Sequence, residues 1–175
     1  PEKQVEDLAV LHDLPGVRLV IIGDGPSRPR LEALLPSALF LGHLSGEALA
    51  AAVASFDVFV HPGESETFGQ TLQEAHASGV PVVATGRGGP VDLVRSGVDG
   101  WLYRPGDVRD LRARVESLVD DAPARRAFGA AGHTAVQARS WESVCDQLLT
   151  HYGDARRLHG ADRALRARRS VRPES

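Results

Sequence analysis

Glu66 and Glu74 bracket seven residues in the stretch His61–Ala84, HPGESETFGQTLQEAHASGVPVVA. An ionised carboxylate accepts hydrogen bonds through both oxygens and donates none, so two of them suit the vicinal hydroxyls of a ribose or a hexose. The residues between them supply a different chemistry. A helix predicted to open at Gly69 leaves the N–H groups of Gly69, Gln70 and Thr71 without partners inside the helix, with the positive end of its dipole facing out. Such a start is a ready anion site, and glycine at 69 lets a phosphate approach the backbone closely. Amides for a diphosphate and carboxylates for sugar hydroxyls together describe a nucleotide-sugar pocket. With ten Glu in the chain, the spacing alone carries no weight. The context carries it: Thr67-Phe68-Gly69 between the two Glu, and Ala77-Ser78-Gly79-Val80-Pro81 after them. Without that context the two would read as an exposed loop Glu and a solvated helix Glu.

Other chemistry-bearing residues point less sharply. Gly23-Asp24-Gly25-Pro26 follows a strand pattern but lacks the full dinucleotide fingerprint, and reads as a turn. The seven His are scattered without a close ligand pair, so no metal site is expected. His61 and His76 flank the pocket and read as hydrogen-bonded structural residues. Gly88-Gly89-Pro90 is either a loop that starts a short helix or a lining of the cleft. Cys145 is the single cysteine, which excludes an internal disulfide and a cysteine zinc site, and a reducing, cytoplasmic setting follows as the default.

The elements that must position these residues alternate along the chain. Strand patterns fall at 18–23, 39–42, 58–61, 80–85 and 100–103, with nearly continuous apolar residues as in parallel strands covered on both faces. Helical patterns fall between them at 4–12, 29–35, 46–56, 69–78 and 91–95. Ser45, Asp107 and Ser140 are placed to cap helices at 46–56, 108–119 and 141–152. Repeated strand–helix alternation implies an α/β fold, a doubly wound parallel sheet, with helices after residue 105 forming a cap on it. Ligands of such sheets lie at the carboxyl ends of strands, where the loop before Gly69 falls. A globular domain is expected over 1–152 and a basic, disordered tail over 153–175.

Composition bounds the function. The 175 residues are 42% apolar and 25% charged, as in an ordinary domain, and no apolar run approaches the ~20 residues that span a bilayer. The net charge is −3, yet residues 153–175 hold seven Arg against Asp154, Asp162 and Glu174. An acidic body is a poor nucleic-acid binder. The tail is solvated, or touches anionic membrane lipid from the cytoplasmic side.

The whole stretch up to about Tyr152 resembles the donor-binding domain of retaining family-4 glycosyltransferases. The resemblance rests on the Glu66–Glu74 segment with its Phe-Gly, and on GDGP (23–26), FLGHLSGEAL (40–49), DVFVHP (57–62), ASGVPVVAT (77–85), GGP (88–90) and GVDGWLYRPGD (97–107). ETFGQTLQEA with GHLSGEALA is similar in wording to actinobacterial GDP-mannose-dependent α-mannosyltransferases that build glycolipids.

The resemblance implies a GT-B enzyme, two Rossmann-like domains facing across a cleft, with the nucleotide-sugar held mostly by the second. Glu66 would then meet the donor sugar's hydroxyls as a positioning residue, and Glu74 the ribose. Amides near Phe68, Gly69, Gln70 and Thr71 would meet the diphosphate and sugar, Lys3 would pair with the diphosphate, and backbone groups at Leu44 would meet the base. Some relatives read guanine with an Asp and a Lys shortly after that point, where this chain has Gly46 and Leu49. Transfer would retain configuration on one face of the sugar, without a stable covalent intermediate and without a metal or other cofactor. Against this pattern the chain starts late, at Pro1 and without any Met. It reads as a truncated copy lacking the acceptor-binding domain and the first, central strand of a sheet ordered 3-2-1-4-5-6. The strands at 18–23 and 58–61 are then expected to face a gap or to pair irregularly with each other, and the fragment to be inactive alone. A non-catalytic nucleotide-sugar-binding module and a UDP-sugar-dependent transferase are the alternatives.

Overall fold

The computed structural model describes residues 3–137 and 139–169. Its compact units divide after Gln137. The first holds five short parallel strands in two sheets. Strand β1 (Val20–Ile22) pairs with β2 (Leu39–Gly42), and β3 (Phe59–His61), β4 (Val82–Thr85) and β5 (Gly100–Tyr103) form the second sheet in that order. Five strands were expected, and each lies within or coincides with its predicted segment. Among the described residues no strand joins β1 to β3, so the sheet is interrupted where a gap was expected.

β4 organises the core because all four of its residues are buried. Its side chains alternate between faces, as a strand requires. Val83 enters one apolar cluster with Leu8, Leu11, Leu14, Tyr103, Leu111, Val115 and Leu118. Val82 and Ala84 enter the other with Val53, Leu72, Ala75, Val80 and Val94. The helices covering these faces are α2 (Gly46–Ala54), α3 (Gln70–Ala77), the single turn α4 (Pro90–Leu93), α5 (Val108–Asp120) and α6 (Ala122–Gln137), while α1 (Arg28–Leu34) packs against the segment Val5–Leu11.

The structure differs from the predicted elements in four places. Residues Val5–Leu11 form a 3-10 helix. Val5, Leu8, Leu11 and Leu14 recur every third residue, and only a helix of three residues per turn lines up that spacing on one core-facing edge. Ser45 stands at the N-cap of α2 without a side-chain capping bond, and Gly46, the first residue of the helix, is left-handed at φ 56°. Asp107, by contrast, accepts from the N–H groups of Arg109 and Asp110 at the start of α5. The third difference is the last helix, α7, which runs Trp141–Arg169, beyond the expected end at Tyr152. Ser140 Oγ does accept from Ser143 N near its start. The expected domain edge at 152 and the tail expected to be disordered thus fall inside α7 as far as Arg169, since Ala, Leu and Arg are strong helix formers and no Pro intervenes. Residues 170–175 of that tail lie outside the described residues. Finally, α6 fills a stretch to which no separate element was assigned.

Candidate functional site

Gly69 turns the chain from the loop after β3 into α3. It occupies the N-cap at φ 65°, a conformation that glycine adopts without strain. A Cβ there would lie 2.2 Å from Leu93 Cδ1, so any other residue would strain the backbone and displace Leu93. The loop before it, Glu64–Thr67, leans on a second glycine pair. Gly89 N donates to the Glu66 carbonyl at 2.8 Å, and Cβ atoms at 88 and 89 would meet the carbonyls of Glu66 and Thr67 at 2.8 Å each. Gly88-Gly89-Pro90 therefore does two things at once. It opens α4 and it holds the backbone that carries Glu66.

The Glu66 side chain is mostly buried, and both of its oxygens are engaged. Oε1 accepts from the N–H groups of Phe68 (3.2 Å) and Gly69 (2.9 Å). Oε2 accepts from Lys3 Nζ at 2.8 Å. These bonds, first that from the Lys3 ammonium and then that from the Gly69 amide, hold the carboxyl well below the usual range, at about 2. Hydrogen bonds to the charged form have that effect. The expected free amide at Gly69 is thus taken by Glu66, because the residue is an N-cap and its N–H points back along the loop.

His61 closes the carboxyl end of β3 and is 6% exposed. Its Nε2 lies 3.4 Å from Glu66 Oε2, and neither ring nitrogen makes a hydrogen bond. Burial, reinforced by the charge on Lys3, lowers its pKa, so the ring is neutral near pH 7. A hydrogen-bonded structural role was expected of it, and the structure gives it none of those bonds. His76 fits that role better, buried with its Nε2 3.2 Å from the Asp99 carbonyl.

Lys3 is brought to the site by its neighbour. Gln4 adopts a left-handed backbone, φ 46°, unusual for a residue with a side chain. Its Oε1 accepts from Glu64 N at 2.7 Å, pinning the N-terminal segment to the loop. Glu64 in turn pairs with Arg87 at 2.8 Å. Gln4, Glu64 and Arg87 were not singled out from sequence. The Lys3-Gln4 adjacency was visible, but its partner lies sixty residues on.

The structure thus gathers Lys3, Glu66, Phe68 and Gly69 into one bonded group. One turn further along α3, Gln70 Nε2 donates to Glu74 Oε1 at 3.1 Å, and Thr71 follows Gln70 at the same helix start. Glu74 is half-buried. Leu44 stands apart, in the loop after β2, at the carboxyl end of the two-stranded sheet. Chemically, the group around Glu66 is an anion-binding nest of amides and a cation already holding a carboxylate, with a second carboxylate a turn away.

Comparisons with known proteins agree on what this arrangement belongs to. The chain is 52% identical over 153 residues to a GDP-mannose-dependent alpha-mannosyltransferase of Mycolicibacterium smegmatis, covering 87% of this chain and 40% of that protein. A protein of the same name from Corynebacterium glutamicum is 47% identical over 154 residues, covering 87% and 37%. The chain therefore spans about 40% of the length of these curated relatives. Among solved structures, sucrose-phosphate synthase from Thermosynechococcus elongatus superposes with a TM-score of 0.75 at 30% identity, over 91% of this chain and 43% of that one. HepE of Anabaena, solved in complex with UDP, gives 0.73 at 23% identity over 89% and 46%, a likeness of fold. These neighbours are GT-B glycosyltransferases, and the parallel sheets flanked by helices seen here are of that architecture. The family model for glycosyl transferases group 1 matches residues 1–135, most of the chain, and the chain belongs to that family.

Proposed function

We propose that this chain is the donor-binding half of a retaining hexosyltransferase that moves mannose from GDP-mannose to a lipid or glycan acceptor in the cytoplasm. The observation that carries the reading is the convergence of Lys3 Nζ and the Phe68 and Gly69 amides on the Glu66 carboxylate, each within 3.2 Å of one of its oxygens, with Glu74 a turn further on. The names of the actinobacterial relatives support the choice of mannose and GDP. In this reading Lys3 and the amides from Phe68 to Thr71 meet the diphosphate, Glu66 positions the sugar through its hydroxyls, Glu74 holds the ribose, and backbone groups at Leu44 meet the base. Negative charge developing on the departing diphosphate is stabilised by preorganised donors, and the reading assigns no metal to that task. Acceptor binding falls to the remainder of a longer protein, so the 175-residue chain by itself is expected to bind donor without transferring sugar. The arginines after residue 153 would contact anionic lipid at the membrane's inner face.

A UDP-sugar donor is the second reading. Gly46 and Leu49 favour it, because neither offers a side-chain acceptor or donor with which to read guanine. Calorimetric titration of GDP, UDP and GDP-mannose tests both. GDP and GDP-mannose are expected to bind more tightly than UDP, and Glu74→Ala to weaken them roughly tenfold by removing a charge-assisted hydrogen bond. Preference for UDP would move the assignment to the second reading. Absence of nucleotide binding by the folded protein would overturn both.

A further inference from the structure

We propose that Glu66 makes the site discriminate against free nucleoside diphosphate in favour of a nucleotide that still carries its sugar, by filling with its own carboxylate the amides and the cation that a bare diphosphate needs. The inference rests on the donor-site reading above and goes one step past it.

Three donors of the nest, the Phe68 and Gly69 amides and the Lys3 ammonium, are already turned toward Glu66. Oε1 holds the Phe68 and Gly69 amides, and Oε2 holds Lys3. The carboxylate is mostly buried, while Lys3 stays open to solvent. An entering diphosphate must either share the nest with a like charge or drive Glu66 out of it, and both are unfavourable. A donor with its sugar attached offers compensation. The displaced carboxylate is acceptor-only and can take hydrogen bonds from sugar hydroxyls, whereas the free diphosphate brings no donor at that position. His61 marks where the displaced oxygen can go. Its buried Nε2 lies 3.4 Å from Oε2 without a hydrogen bond, and its neutral ring can offer one N–H. The same carboxylate therefore opposes the product and tolerates the substrate. Its expected consequence is faster loss of the nucleoside diphosphate after transfer.

The test is calorimetric titration of GDP and GDP-mannose into the wild-type protein and into Glu66→Gln and Glu74→Ala forms. Glu66→Gln removes the competing charge and keeps the shape. It is expected to bind GDP roughly tenfold more tightly than wild type while GDP-mannose does not tighten. GDP binding that weakens or stays the same in Glu66→Gln, with Glu74→Ala still weakening both ligands, would overturn this inference and leave the donor site standing. Binding unaffected by Glu74→Ala would instead remove the donor-site reading itself. A measurement on the wild-type protein needs no variant to fold. Saturating GDP should shift the His61 ring-nitrogen and Gly69 amide NMR signals together, because Glu66 must leave one and approach the other. GDP bound with both signals unmoved would overturn the displacement.

Discussion

Lys3 and Glu66 lie sixty-three residues apart in sequence and 2.8 Å apart in space, and the pair sets how the site responds to acid. Because the Glu66 carboxyl is held at about 2 against an ordinary 4.5, its bonds stabilise the folded protein above pH 4.5, and that stability is lost as pH falls from about 4.5 to about 2. Lys3→Ala removes the largest cause of the depression. Lys3 is 62% exposed, so solvent screens the pair and the loss at neutral pH should be at most ~1 kcal/mol, or a fall of about 2–4 °C in Tm. The difference between variant and wild type should be full above pH 4.5 and shrink below it, as thermal unfolding across pH will show; a gap that widens in acid would assign the stability elsewhere. Residue types made part of this site legible. Glu66, Gly69 and Glu74 stand out through residue chemistry and the sequence context around them. Gln4, Glu64 and Arg87 do not, because a polar residue becomes a strut only when the fold brings its partner near. His61 was legible as a residue of the site and not as a ring left without hydrogen bonds.

At the scale of elements, the position of α3 decides where its N-terminal amides point, and α6 presses on α3 through glycines. A Cβ at 129 would lie 2.0 Å from the Gly79 carbonyl oxygen, and one at 132 would lie 2.6 Å from the His76 ring. Glycine inside a helix ordinarily costs about 0.5–1 kcal/mol relative to alanine, so Gly→Ala at an open position would stabilise α6. Here the backbone of the α3–β4 turn cannot give way, and the sign reverses. Gly129→Ala should cost about 1–3 kcal/mol, the usual range for overpacking, and should weaken nucleotide binding as α3 is pushed away. A variant with raised Tm and unchanged binding would show that α6 can slide without moving the site. The same packing explains why α6 escaped sequence reading. Its contact face is built from glycine and small residues, which leave no periodic apolar stripe, whereas α5 shows Leu111, Val115 and Leu118 at helical spacing. The 3-10 helix shows the converse, a spacing of three that is plain in the sequence once a tighter helix is considered.

At the scale of the first compact unit, the interruption between β1 and β3 divides the protein into parts of unequal support. Strand alternation was legible, because buried parallel strands are near-continuous apolar runs, whereas strand order and the place of the break came from the family resemblance. The length of α7 was not, since helix propensity without an apolar face gives no endpoint. All four residues of β4 are buried and both of its edges are paired, to β3 and to β5. No residue of β1 or β2 is fully buried, and their ladder shifts register between Ile21 and Ile22. Local opening follows burial and ladder continuity, so the two sheets should open at different free energies. In hydrogen exchange, the amides of Val82–Thr85 should be the slowest of the five strands. Those of Val20–Ile22 and Leu39–Gly42 should exchange roughly a hundredfold faster or more, since the margin between a partly open unit and global unfolding is commonly a few kcal/mol. Adding GDP-mannose should slow Gly69 and α3. It should slow the β2 amides as well if the base sits at Leu44, because a ligand shared by two sheets ties their opening together. Equal protection in both sheets without ligand would mean that the interruption does not divide the unit's cooperativity. Slowing confined to α3 would move the base away from Leu44.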